Sequence, residues 1–124
     1  MTEIVITLPL CPTTNHLFAG SGQKRYRTRE YDMWLEAAGW ELNIQRPRGR
    51  GPLQVQGQVE IHIEVREPRT DHQEDLDNRA KASLDLLVKN SVIQGDSNRY
   101  VRKLTMTWNK DIDGIRITIK PWQA

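Results

Sequence analysis

Val59-Glu60-Ile61-His62-Ile63-Glu64-Val65-Arg66 decides how the chain folds. Apolar and polar residues alternate without interruption, the period-2 signature of a strand with one face buried and one face wet. Val55 and Gln58 extend the pattern backward to about residue 53, and Gly57 marks a bulge near the start. His62 belongs to the polar face and reads as a solvated strand residue rather than a ligand. Pro68 ends the strand.

On the C-terminal side, Leu76 to Asn90 carries helical spacing, with Leu76, Ala80, Ser83, Leu84 and Leu87 on one stripe and Val88 at its edge. On that wheel Asp77 and Lys81 stack at i, i+4 on the flank of the stripe, where core meets solvent. Residues 91–98 form a connecting loop. Residues 100–108 and 114–120 alternate as strands, and the Asp113-Gly114 dipeptide between them is a hairpin signal.

On the N-terminal side, residues 3–8 are β-branched and stop at Pro9, a first strand followed by a proline-bounded loop. Residues 29–45 are helical, with Tyr31, Trp34, Leu35, Ala38 and Leu42 as the core stripe. Met33, Ala37, Trp40 and Ile44 make a second apolar stripe on nearly the opposite side. Either the helix is buried on both sides, or that stripe is a homodimer contact. The expected architecture is α/β (α+β): a single domain, 1–124, with a mixed four-stranded sheet and helices packed on one face. The order is β-α-β-α-β-β, in a homodimer.

Composition is that of an ordinary globular domain, 37% hydrophobic and 27% charged, with one cysteine, Cys11. No internal disulfide is possible, so a reducing compartment is the default. The first residues lack a signal-peptide pattern, and no apolar run reaches the ~20 residues that span a bilayer. The expectation is a cytoplasmic protein with no membrane association. Net charge is only +2, yet ten of the 18 basic residues fall in three clusters. These are Lys24, Arg25, Arg27 and Arg29; Arg46, Arg48 and Arg50; and Arg99, Arg102 and Lys103. Clustered cations on a near-neutral chain point to a polyanion such as DNA. The first cluster reads equally as a solvated loop or as a phosphate-contacting arm, with Tyr26 available for stacking.

The chemistry gathers at Glu74-Asp75-Leu76-Asp77-Asn78-Arg79-Ala80-Lys81, with Asp71 upstream and Asp96 downstream. Two ionised carboxylates roughly 5 Å apart repel by about 3 kcal/mol at an effective dielectric of about 20. A hard divalent cation is the commonest reason to converge them. Asp75 and Asp77, spaced i, i+2, point the same way in an extended approach to a helix. Asp96 would complete a three-carboxylate site for Mg²⁺, with Mn²⁺ as a substitute, suited to phosphodiester hydrolysis. Lys81 would face the scissile phosphate or the attacking water, or relieve repulsion among the acids. The competing reading is that Asp75 or Asp77 merely caps the helix. On chemistry alone both stand.

Asp75-x-Asp77-Asn78-x-x-Lys81, the helix with Leu84 and Asp85, and an acid fifteen residues beyond the lysine resemble the RusA-type Holliday junction resolvases. Leu8-Pro9-Leu10-x-Pro12-Thr13-Thr14-Asn15 is similar to that family's proline-rich loop. The resemblance implies a homodimeric, Mg²⁺-dependent endonuclease that makes paired cuts in four-way DNA junctions during recombination and repair. It implies Asp75, Asp77, Lys81 and Asp96 as catalytic residues, the three aspartates as metal ligands, and a bacterial or phage setting. One departure stands out: the family has paired acids at the downstream position, and here Gly95 precedes Asp96. A non-catalytic module that binds branched DNA, or a nuclease acting on other branched substrates, are the alternatives.

Overall fold

A computed structural model of the chain describes residues 3–45 and 54–123. The proline- and glycine-rich loop with Arg46, Arg48 and Arg50 lies outside the described residues. The main elements are β1 (Ile4–Leu8), α1 (Arg29–Ile44), β4 (Val59–Arg66), α2 (Ala80–Lys89), β5 (Val101–Asn109) and β6 (Ile115–Pro121). Between β1 and α1, where the sequence suggests only loop, a short hairpin forms from β2 (Phe18–Ala19) and β3 (Tyr26–Arg27). Gly20, at φ +82°, sits where a Cβ would run into the Lys24 carbonyl, so only glycine closes that turn.

The four long strands make one mixed sheet in the order β1-β6-β4-β5. β4 is an inner strand, paired on both edges, and its alternation shows in its burial: Val59, Ile61, Ile63 and Val65 are buried while Glu60, His62 and Glu64 are half-buried on the other face. Parallel pairing of β4 with β5 needs a crossover, and α2 supplies it. β6 runs antiparallel to both β4 and β1.

β5 and β6 do not pair with each other, contrary to the Asp113-Gly114 signal. β4 lies between them, its end bonded to both sides of the turn: Arg66 N–H donates to Gly114 O (2.9 Å) and Glu67 N–H to Asn109 O (3.2 Å). The physical reason is that a strand with a fully buried face gains most when both its edges are paired. The five-residue connection 110–114 is wide enough to admit it.

Both helices cover the buried face. α1 starts at Thr28, whose Oγ1 accepts the Tyr31 N–H (3.1 Å), and buries the expected Tyr31, Trp34, Leu35, Ala38 and Leu42. Its second stripe is exposed, Trp40 by 67% and Ile44 by 71%. The Gln45 amide just beyond α1 bonds the Thr7 N–H and C=O, each at 2.8 Å, closing part of the β1 edge.

α2 departs from its expected phase. Leu76–Arg79 is a turn of 3₁₀ helix, and the α-helix proper begins at Ala80. Four residues at the tighter pitch rotate the following stripe by about 80°. Ala82, Ser83, Leu86 and Leu87 are therefore buried, while Leu76, Ala80, Leu84 and Val88 are half-buried.

The opposite sheet face is a polar layer. Glu64 accepts from Arg116 Nε (2.7 Å) and Nη2 (2.8 Å) and from Asn109 Nδ2 (3.0 Å), linking three strands. His62 bonds Thr107 Oγ1 at 2.8 Å, in keeping with a strand-surface role. No helix among the described residues is long and apolar enough to cross a membrane.

Gly114 lies just before β6, against the end of β1, where an added Cβ would strike the Leu8 carbonyl. Gly114→Ala is expected to cost about 2–3 kcal/mol, because backbone cannot move aside as a side chain does. Urea denaturation monitored by tryptophan fluorescence measures it.

Candidate active site

The site begins with the proline-rich loop, which is pinned from two directions. Trp34 Nε1 on α1 donates to Pro9 O (2.9 Å). From the other side Arg79 donates to the Cys11 carbonyl, and Thr14 Oγ1 donates to Asn78 O (3.1 Å). Arg79 also makes a two-pronged pair with Glu74, at 2.6 and 3.0 Å, with the two side chains only 11% and 9% exposed. Glu74 is therefore not a spare acid of the cluster. It holds the guanidinium that fastens the acidic turn to the loop, and Arg79 holds its carboxyl below the usual carboxylate range. The buried Cys11 thiol sits beneath this joint, pushed up to about 11 by desolvation.

Asp75 and Asp77 stand at the start of that turn, and both are exposed. Asp75 occupies the N-cap position, yet its side chain caps nothing. The carboxylates of Asp75, Asp77 and Asp96 have no hydrogen bond or ion pair among the described residues. The capping explanation of Asp75 thus fails on geometry. Mg²⁺ asks for only one or two carboxylates besides water and phosphate oxygens, so exposed oxygen donors of this kind suit it chemically. Among the described residues, however, no group of three or more His, Cys, Asp or Glu is gathered tightly enough to hold a metal ion.

Lys81 and Asp96 share a cleft of about 510 Å³ between α1, α2 and the β2–β3 hairpin, which they line together with Phe18, Arg27, Tyr31 and Asp85. The rotated phase of α2 turns Lys81 toward Asp85, with Nζ 3.1 Å from Oδ1, rather than toward Asp77. Tyr31 donates its hydroxyl to the other oxygen of Asp85 at 2.8 Å. Burial first, and Asp85 second, raise the Tyr31 phenol well above its ordinary value, so it remains a donor.

Of the basic clusters, the hairpin reaches this cleft. Arg25, Tyr26 and Arg27 line a second groove with Phe18 and Lys81, contiguous with the first. Arg25 stacks over the Phe18 ring at 4.3 Å, and Arg27 pairs with Asp32 at 3.0 Å. Lys24 and Arg29 are exposed beside them. Lys103 lies instead on the polar sheet face near Glu60 (3.9 Å), while Arg102 donates to Asn98 O (2.9 Å) and Arg99 is exposed.

A family model described as Endodeoxyribonuclease RusA matches residues 8–120, nearly the whole chain. The chain belongs to the RusA family. Among individually curated proteins, none matches it significantly. RusA proteins are endodeoxyribonucleases that resolve Holliday junctions, so this chain is a phosphodiester hydrolase acting on branched DNA.

The structure shows what favours a glycine before Asp96. A Cβ on Gly95 would lie 2.7 Å from Cδ2 and 3.1 Å from Cε2 of Tyr100, so the ring occupies the space a side chain there would need. Three contacts that shape the site escape a reading of sequence alone: the clamp of Glu74 on Arg79, and the bonds that lead from Tyr31 through Asp85 to Lys81. Only the i, i+4 spacing of Lys81 and Asp85 offered a signal.

Glu74→Gln is expected to cost about 2–3 kcal/mol at neutral pH by stranding the buried guanidinium. Because the folded carboxyl titrates below its unfolded value of about 4.3, the difference from wild type is full above that pH. It shrinks as pH falls through the lowered folded value. Thermal midpoints between pH 3 and 7 test both the size and the sign. Gly95→Asp is expected to cost about 1–3 kcal/mol, and less in a Tyr100→Ala background, by the same melting measurement.

Proposed function

We propose that this chain is a metal-dependent resolvase that cuts opposed strands of a four-way DNA junction in a symmetric pair, in recombination and repair. The carrying observation is the turn itself: among the described residues Asp75 and Asp77 are exposed and without a partner, and the helix that follows carries Lys81 into a cleft that Asp96 also lines, in a RusA chain. In this reading Asp75 and Asp77 hold a hard divalent cation, Mg²⁺ or Mn²⁺, with Asp96 joining them. When bound, that ion polarises the phosphate and makes a water more acidic. Lys81 presents a positive charge to the phosphate at the mouth of the cleft. Arg25 and Arg27 hold backbone phosphates along the adjoining groove, with Lys24 and Arg29 beside them, and Tyr26 offers its ring to a base. Arg46, Arg48, Arg50, Arg99, Arg102 and Lys103 add charge for the junction arms.

The homodimer belongs to the same reading. Two related cuts call for two related sites, which a twofold axis provides. The exposed Met33, Ala37, Trp40 and Ile44 on α1 form an apolar face suited to that contact. The whole of 1–124 acts as one endonuclease domain, in the cytoplasm of a bacterium, including one that carries a phage.

On a labelled synthetic four-way junction with Mg²⁺, Asp75→Asn and Asp77→Asn are each expected to slow cleavage at least ~100-fold. Junction binding measured in Ca²⁺ should persist. Wild-type cleavage rates in both variants would refute the assignment. Trp40→Glu is expected to shift the particle toward monomer in light scattering, with paired cuts giving way to single nicks; an unaltered dimer would place the interface elsewhere.

A further inference from the structure

We propose that Asp85, held by Tyr31, is a positioning residue that aims the Lys81 ammonium into the cleft shared with Asp96. The proposal rests on the reading above, in which Lys81 serves the cleavage reaction.

A lysine side chain on a helix surface has four rotatable bonds, and fixing it costs up to about 2 kcal/mol of rotamer freedom. The Lys81 side chain is 49% exposed, so packing does not fix it. An ordinary i, i+4 ion pair would not either, being worth a few tenths of a kcal/mol and easily broken. Asp85 differs because both of its oxygens are engaged, Oδ1 by Lys81 and Oδ2 by Tyr31, and its side chain is 26% exposed.

The far end of the chain of contacts is immobile. Tyr31 is 1% exposed, its ring 5.8 Å edge-on from Phe18 and 6.4 Å from the near-parallel Trp34. Trp34 is itself fastened to the proline-rich loop through Pro9. The hydroxyl of Tyr31 thus has a fixed position, the carboxylate of Asp85 is oriented by it, and Nζ of Lys81 by the carboxylate. Positioning of this kind is typically worth tenfold to a hundredfold in rate. A purely structural bond between α1 and α2 would instead hold the fold and leave the rate per folded molecule unchanged.

The test compares single-turnover cleavage, at saturating protein and Mg²⁺, among Tyr31→Phe, Asp85→Asn, Lys81→Ala and each of the first two combined with Lys81→Ala. Tyr31→Phe keeps the buried ring, and melting confirms that every variant is folded. The first two variants are expected to be about tenfold or more slower with unchanged junction affinity. Both should be silent once Lys81 is gone, since there is no ammonium left to aim. Lys81→Ala cutting at the wild-type rate would remove the underlying reading. Lys81→Ala slow, with Tyr31→Phe and Asp85→Asn cutting like wild type, would overturn this proposal alone. So would equal slowing by these two substitutions with and without Lys81.

Discussion

The ion pair between Glu74 and Arg79 is the joint on which the site depends. A guanidinium has donors enough for a carboxylate and a carbonyl together, and Arg79 uses them to bridge Glu74 and Cys11. Two segments more than sixty residues apart are thereby fixed to each other, with Asp75 and Asp77 between the members of the pair. A buried pair of this kind contributes little net stability compared with an apolar substitute. Its effect is on geometry: the turn that carries the free aspartates has one position relative to the loop.

The joint also explains the division of labour among the acids. Glu74, Asp85 and Glu64 are each engaged by a cation and hold other side chains in place. Asp75, Asp77 and Asp96 have no such partner among the described residues, and they are the acids that the RusA resemblance implicates in chemistry. Sequence position does not separate the two sets, since Glu74 and Asp75 are neighbours. What separates them is whether a guanidinium or ammonium comes within reach.

Where a regular period ran long enough, the fold was legible from the residues. The sixteen residues of α1 show both stripes at the right phase, and the alternation of β4 identifies its buried and its wet face. The phase of α2 was not legible, because the turn before it is 3₁₀ and is held by Thr14 and Cys11, contacts from distant sequence to Asn78 and Arg79. Nor was the separation of β5 from β6, since a turn signal is local while strand neighbours are chosen by the whole sheet. At the site, the acids and Lys81 were visible as a motif. The Tyr31–Asp85 bond joins residues 54 positions apart and leaves no pattern to read.

Gln45 carries a consequence for the outer edge of the sheet. β1 is an outer strand, and an outer strand invites another to lie alongside it. With the Thr7 N–H and C=O already taken by one side-chain amide, a newcomer would have to evict Gln45 before the ladder could lengthen there. The sheet is therefore discouraged from running on into a neighbour along β1. Open-ended growth of the sheet through β1 is disfavoured for the same reason.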